Sequence, residues 1–222
     1  EHCFANEPSP GFFKGTCLLD PIDTKTPARM RELVEGNPNR IVALRIHEMH
    51  PPGTAFAISG AIKNRHLKDP RMKASWEAAR DLGLAVQMHF LPYYAPMIGD
   101  LIAQVSGVTV ILDHLSRAGM GTPEQYQGVL ALAKHPKVYM KYSGVGYSSK
   151  QQPPYDDARP IVKQAWDAFG PDRIIWGGLG HNMEEFRQAL ATLDHQFPMA
   201  TEEQKAKIKG GNSVKLYGFS PS

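Results

Sequence analysis

Val108-Thr109-Val110-Ile111-Leu112-Asp113-His114 is an apolar, β-branched run that ends on a histidine. Leu84-Ala85-Val86-Gln87-Met88-His89 upstream has the same form. A stretch of helical patterning precedes each. Apolar runs of this length between helical segments read as buried strands of a parallel sheet. Ligands bind at the C-terminal ends of such strands. His89 and His114 stand at matching strand ends, so two imidazoles can converge on one small volume.

The same alternation continues outward from these two runs. The pattern predicts further strands at residues 12–19, 41–49, 138–143 and 173–176. Helices are expected at 26–35, with Thr26 as cap and Pro27 at the first position, and at 70–82, ended by Gly83. Others are expected at 94–105, at 122–133 with Thr122 as cap, and at 156–169, 183–193 and 202–217. A loop is expected from His50 to about Asp69, opened by Pro51-Pro52-Gly53. Six strand-helix units argue for an α/β fold with a parallel sheet. A closed barrel of eight such units takes about 250 residues. Six units in 222 residues predict an incomplete or rearranged (β/α) barrel of the TIM type, read as a single domain over 1–222.

Composition is that of an ordinary globular chain, 42% hydrophobic and 21% charged, with a net charge of +3. The basic residues are scattered, so no nucleic-acid footprint or membrane-surface patch is expected. No apolar stretch reaches the roughly 20 residues of a membrane span. Cys3 and Cys17 form no CxxC pair, and Cys17 lies in an apolar run. This fits reduced thiols and a cytoplasmic location. The first residues, Glu1-His2-Cys3, have no basic start or apolar stretch, and the absent initiator Met suggests a processed or truncated product.

Alternate residues of a strand share a face. By that rule Arg45 joins His47, Gln87 joins His89, Leu112 joins His114, and Lys141 joins Ser143. Asp113 has the opposite parity and is expected to brace neighbouring backbone. If these faces line a barrel mouth, Arg45, His47, His89, His114, Lys141 and Ser143 form a pocket for a small anionic molecule. Each residue has a plainer reading: a histidine bonded to backbone carbonyls, a cation paired with a carboxylate. His47-Glu48-Met49-His50 lacks the i, i+4 histidines of a zincin helix and falls in a strand. His2, His66, His135 and His195 read as surface or loop residues. No G-x-G-x-x-G follows the first strand, and no Walker loop or G-x-S-x-G elbow is present. Ser143 has no evident general base near it in sequence.

Three ordered segments carry a resemblance: Val110-Ile111-Leu112-Asp113-His114-Leu115, then Val138-Tyr139-Met140-Lys141-Tyr142-Ser143-Gly144, then Asp172-Arg173-Ile174-Ile175-Trp176-Gly177. Together they resemble the amidohydrolase-related family of TIM-barrel hydrolases. That family includes 2-pyrone-4,6-dicarboxylate lactonases, other lactonases and aromatic-acid decarboxylases. Ala43-Leu44-Arg45-Ile46 is similar to its fourth strand, and Gly83 to His89 to its fifth. Gly211-Asn212-Ser213-Val214-Lys215-Leu216-Tyr217-Gly218 is similar to its closing helix.

The resemblance implies catalytic or metal-binding roles for His89 and His114, a divalent metal such as zinc, and a substrate-facing Arg45. Two departures matter. The family's first strand bears His-x-His, and this sequence contains none. Its eighth strand usually ends Gly-Ser-Asp-Trp-Pro-His, whereas this chain reads Gly177-Gly178-Leu179-Gly180-His181-Asn182. Leu179, in place of the Asp, neither binds metal nor moves a proton, and a catalytic zinc needs about three protein ligands. His181 is the candidate to replace the lost base. The resemblance therefore implies a metal-dependent hydrolase of a small carboxylated lactone. Alternatives are a metal-free hydrolase, a catalytically degenerate barrel that binds or assembles, and a decarboxylase. Strands 12–19 and 173–176 would be apolar sheet edges, so self-association into a homo-oligomer is expected.

Overall fold

The computed structural model describes residues 2–54 and 67–219. Most of the long loop expected after His50, and His66 with it, falls on residues 55–66 and so lies outside the described residues. Six strands form one all-parallel sheet in chain order: β1 Gly15–Cys17, β2 Ile41–Glu48, β3 Ala85–Phe90, β4 Thr109–Leu112, β5 Val138–Tyr142 and β6 Ile174–Trp176. Among the described residues β1 and β6 are each paired on one side only. The helices are α1 His2–Ala5, α2 Thr26–Gly36, α3 Arg71–Asp81, α4 Ala95–Gln104, α5 Pro123–Leu130, α6 Arg159–Phe169, α7 Met183–Gln196, α8 Glu202–Ala206 and α9 Asn212–Tyr217. No helix of the described residues is long and apolar enough to cross a membrane.

Strand parity divides the apolar residues between two cores. Leu44, Ile46, Val86, Met88, Val110, Leu112, Val138, Met140 and Ile174 face the helices and meet Met30, Met72, Trp76, Ile98, Val162 and Phe169. The residues between them in sequence face the other way. Ala43, Ala85, Ile111 and Ile175 form a small second core, against which Tyr139, Leu216 and Tyr217 pack. The C-terminal helix α9 thus covers the inner face of the sheet near the strand starts, and the strand ends are left for polar side chains.

Local chemistry sets the helix boundaries. At α5, Thr122 Oγ1 accepts from the Gln125 N–H while Gln125 Oε1 accepts from the Thr122 N–H, a full capping box. At α7, Asn182 Oδ1 caps the Glu185 N–H. Thr26, expected as the cap of α2, lies inside that helix instead. Its hydroxyl donates to the Asp20 carbonyl, and Lys25 holds the cap position with no side-chain bond. The strand expected at 12–19 shrinks to Gly15–Cys17. At its start the Glu7 carboxylate accepts the Phe13 N–H, as well as that of Gly11, and the Phe12 N–H turns back to the Ser9 carbonyl. Phe12, Phe13 and Leu18 are exposed. Both cysteines are unpaired, and burial pushes the Cys17 thiol up to about 11.

Candidate functional site

At the C-terminal strand ends β2 and β3 pair in register, Arg45 beside Gln87 and His47 beside His89. The His47 and His89 rings lie 5.0 Å apart, centroid to centroid, and those of His89 and His114 4.9 Å apart. The structure brings Arg45, His47, His89, His114, Lys141 and Ser143 to one end of the sheet. His181 is not joined to them. It is exposed, its backbone N–H donates to Glu185 Oε2, and it shares no hydrogen bond, ion pair or ring contact with the cluster. His2 and His195 are exposed as expected, with His195 on Asp156, while His135 is half-buried.

The parity assigned to β4 needs correction. Leu112 does not share an inward face with His114; it packs in the helix-facing core, and Ile111 and Asp113 point inward. Asp113 is therefore no backbone brace. Its carboxylate, with no exposed surface, lies 3.1 Å from Arg45 Nη2 and 3.3 Å from Lys141 Nζ, and accepts from Gln87 Nε2 at 2.9 Å. His114 reaches the same side because the chain breaks from the strand. Residues His114, Leu115, Ser116 and Arg117 all have positive φ, from 48° to 54°. Each costs about 1–2 kcal/mol as a left-handed non-glycine residue. Burial of Leu115 and Ser116 and the bond from the Ser116 N–H to the Asp113 carbonyl hold the turn. Such strain collects at functional sites.

The left-handed turn also delivers Arg117, which the sequence reading missed. Arg117 Nε donates to His89 Nε2 at 3.0 Å, and its guanidinium lies over the Tyr147 ring, 3.5 Å from the centroid. Four consecutive left-handed residues without a glycine carry no sequence signal, so nothing marked Arg117 in advance. Tyr147 is held close by Gly144, at φ 60°, where a Cβ would come within 2.5 Å of the Tyr147 ring. Gly144→Ala should destabilise the protein by about 2 kcal/mol through a left-handed alanine and a displaced ring. Urea titration checks this, and an unchanged midpoint would contradict it.

Hydrogen-bond polarity can be assigned from the donors, because guanidinium only donates. Since His89 Nε2 accepts from Arg117, its proton is on Nδ1. With that tautomer Nδ1 and Arg45 Nη2, 3.4 Å apart, are both donors and make no hydrogen bond to each other. His114 Nε2 lies 3.4 Å from Arg45 Nη2 and accepts there, so Nδ1–H donates to Ser143 Oγ at 2.8 Å. The Ser143 hydroxyl is left with its own proton to give. Burial, together with the neighbouring cations, pushes the imidazoles down: His47 to about 4, His89 to about 3 and His114 to about 4. All three are neutral near neutral pH. Among the described residues of the site, Arg45, Arg117 and Lys141 then face the carboxylate of Asp113.

The donor set does not fit a metal. Arg45 Nη2 stands within 3.4 Å of both His89 Nδ1 and His114 Nε2 and within 3.1 Å of Asp113, so a fixed cation holds the space between those ligands. Among the described residues no group of three or more His, Cys, Asp or Glu is arranged to hold a metal ion. Leu179 is exposed at the rim of an adjoining cavity.

Two curated relatives are lactone hydrolases. The 4-sulfomuconolactone hydrolase of Hydrogenophaga intermedia is 26% identical over 62% of this chain and 48% of its own length. The L-fucono-1,5-lactonase of Burkholderia ambifaria is 23% identical over 68% of this chain and 56% of its own. The chain thus spans about half the length of these relatives. Among solved structures, one from Pseudomonas putida described as a 2-pyrone-4,6-dicarboxylic acid hydrolase matches with a TM-score of 0.73 at 19% identity, over 96% of this chain and 75% of that one. An amidohydrolase from Burkholderia multivorans with bound zinc matches with a TM-score of 0.75 at 14% identity, over 99% and 77%. These likenesses place the open six-stranded sheet among TIM-barrel amidohydrolases. The family model described as Amidohydrolase matches residues 4–219, nearly the whole sequence, and the chain belongs to that family.

Proposed function

We propose that this chain hydrolyses a small carboxylated lactone without a metal. The observation that carries the reading is the gathering of three cations, Arg45, Arg117 and Lys141, with the neutral imidazoles of His47, His89 and His114 at one end of the sheet. A carbonyl oxygen bound against this cationic end is stabilised by Arg45 as it becomes an oxyanion, the arrangement that favours acyl transfer. Arg117 and Lys141 supply positive charge for a substrate carboxylate. His47 makes no hydrogen bond to a described residue, and its neutral imidazole is the base we assign for the attacking water. His47 takes a proton from the water as its oxygen bonds to the carbonyl carbon, the ring C–O bond breaks, and His47 returns that proton to the departing oxygen to give the hydroxy acid. With its pKa pushed down to about 4, His47 is a weak base, so turnover is expected to be slow. The lactone hydrolases among its relatives support the substrate class.

Hydrolysis of 2-pyrone-4,6-dicarboxylate, followed by loss of pyrone absorbance, tests the reading. Turnover should survive exhaustive chelation, fall about 100-fold or more in Arg45→Met, and fall about tenfold or more in His47→Gln. Turnover abolished by a chelator would overturn the metal-free site. A second reading, an anion-binding barrel without catalysis, is favoured by exposed Leu179 where the family carries an acid. It requires the dicarboxylate to bind and never turn over.

A further inference from the structure

Beside the histidines lies a cavity of about 320 Å³, between the ends of β5 and β6 and helix α7. That volume is at the small end of small-molecule sites, which run from about 300 to 1,000 Å³. Its walls differ in kind from the cationic mouth. Tyr147, Tyr155, Trp176 and Leu179 supply flat or branched apolar surface, and among the described residues no Lys, Arg or His lines it. Glycines let the aromatic walls close in. A Cβ at Gly146 would lie 3.3 Å from the Tyr155 hydroxyl oxygen, and one at Gly178 would lie 3.2 Å from Trp176 Cη2. Trp176 is fixed edge-on against Phe186, 4.9 Å between centroids.

The cavity joins the histidine site through two residues. Tyr147 carries Arg117 on its face and has the His114 ring 6.0 Å away. Ser143 is 4% exposed, lines the cavity, and accepts from His114, so its own proton is free for a ligand oxygen. We infer that this cavity is a binding site for an uncharged planar ring, held between the aromatic walls and Leu179 and oriented by a hydrogen bond that Ser143 donates. The one lining carboxylate, Glu185, disfavours an anion, and it is already engaged by the His181 N–H and Asn182 Nδ2. A cationic ligand is disfavoured by Arg117 on Tyr147 and by Lys141 against Gly177. The ring site stands apart from the lactone reading; only the expectation that ring and carboxylate belong to one substrate rests on it.

Coumarin, a neutral planar lactone without a carboxylate, is the probe, titrated against the intact chain by NMR. It should shift the indole N–H resonance of Trp176, identified by its loss in Trp176→Phe. Leu179→Asp, at an exposed loop position that leaves the fold intact, should weaken binding at least tenfold, and Ser143→Ala about threefold or more. Coumarin that fails to bind, or binds Leu179→Asp as well as the parent, overturns the inference. So does tighter binding of phenyltrimethylammonium, which would make the aromatic walls a cation box. Coumarin bound without any pyrone hydrolysis sinks the proposed function alone. Pyrone hydrolysis without coumarin binding sinks the ring site alone.

Discussion

Acidification from about pH 7 to about pH 5 should cost this protein roughly 5 kcal/mol of stability, close to the whole margin of a typical domain. The source is the histidine cluster. In the folded state burial and the nearby Arg45, Arg117 and Lys141 hold His47, His89 and His114 well below the ordinary 6.5. Unfolded, each binds a proton as the pH falls through that ordinary value, while the folded protein stays neutral until about 4 or lower. The unfolded state then carries more protons, so stability is full above the unfolded pKa and falls on acidification. Each histidine contributes at most about 1.4 kcal/mol per pH unit, reached only below about 6.5, and so nearly 2 kcal/mol over the whole step. The folded values of about 4 at His47 and His114 already include the opposing pull of Asp113. Urea titrations at successive pH values check it, with His47→Gln and His114→Gln each flattening the slope. A midpoint independent of pH from 7 to 5 would show that the imidazoles are not buried as neutral groups.

This cluster also shows what sequence could and could not reveal. Six parallel strands follow from the strand-helix alternation, and the gathering of Arg45, His47, His89 and Lys141 follows from period-2 patterning, because those strands run straight to their ends. Parity failed at Asp113 and His114. There the chain leaves the strand for a left-handed turn, and a rule built on extended backbone cannot cross it. The roles of Asp113 and Arg117 were lost at that one place. Glu7 is a smaller case of the same kind. The Phe13 N–H goes to the Glu7 carboxylate and the Phe12 N–H to the Ser9 carbonyl, so β1 starts late, though residues 12–19 are apolar enough to predict a longer strand. His181 fails differently: nearness in sequence to Leu179 does not bring an exposed side chain back to the strand ends.

Asp113→Asn should destabilise the protein by about 3 kcal/mol and sharply reduce any hydrolysis. The carboxylate is fully buried and balances two cations, Arg45 at 3.1 Å and Lys141 at 3.3 Å, while it also accepts from Gln87. Loss of one partner of a buried pair leaves the other charge uncompensated, which typically costs about 3–5 kcal/mol. The lower figure applies because the Arg45 and Lys141 side chains keep 30% and 20% of their surface exposed and can lean toward water. An asparagine preserves shape and can still meet Gln87, so the loss reports charge rather than packing. Removing a cation at the same time should restore part of it. The double variant Asp113→Asn with Lys141→Met is expected to be more stable than the sum of the two single changes predicts, by about 1 kcal/mol or more, since the two sites are in contact. Arg45 is the second consequence. Asp113 fixes its guanidinium between His89 and His114, so the variant that frees it should lose hydrolysis beyond what instability explains. Assays well below the unfolding midpoint separate the two effects. Asp113→Asn within about 0.5 kcal/mol of the parent, and equally active, would mean that the carboxylate neither anchors the cations nor orders the site.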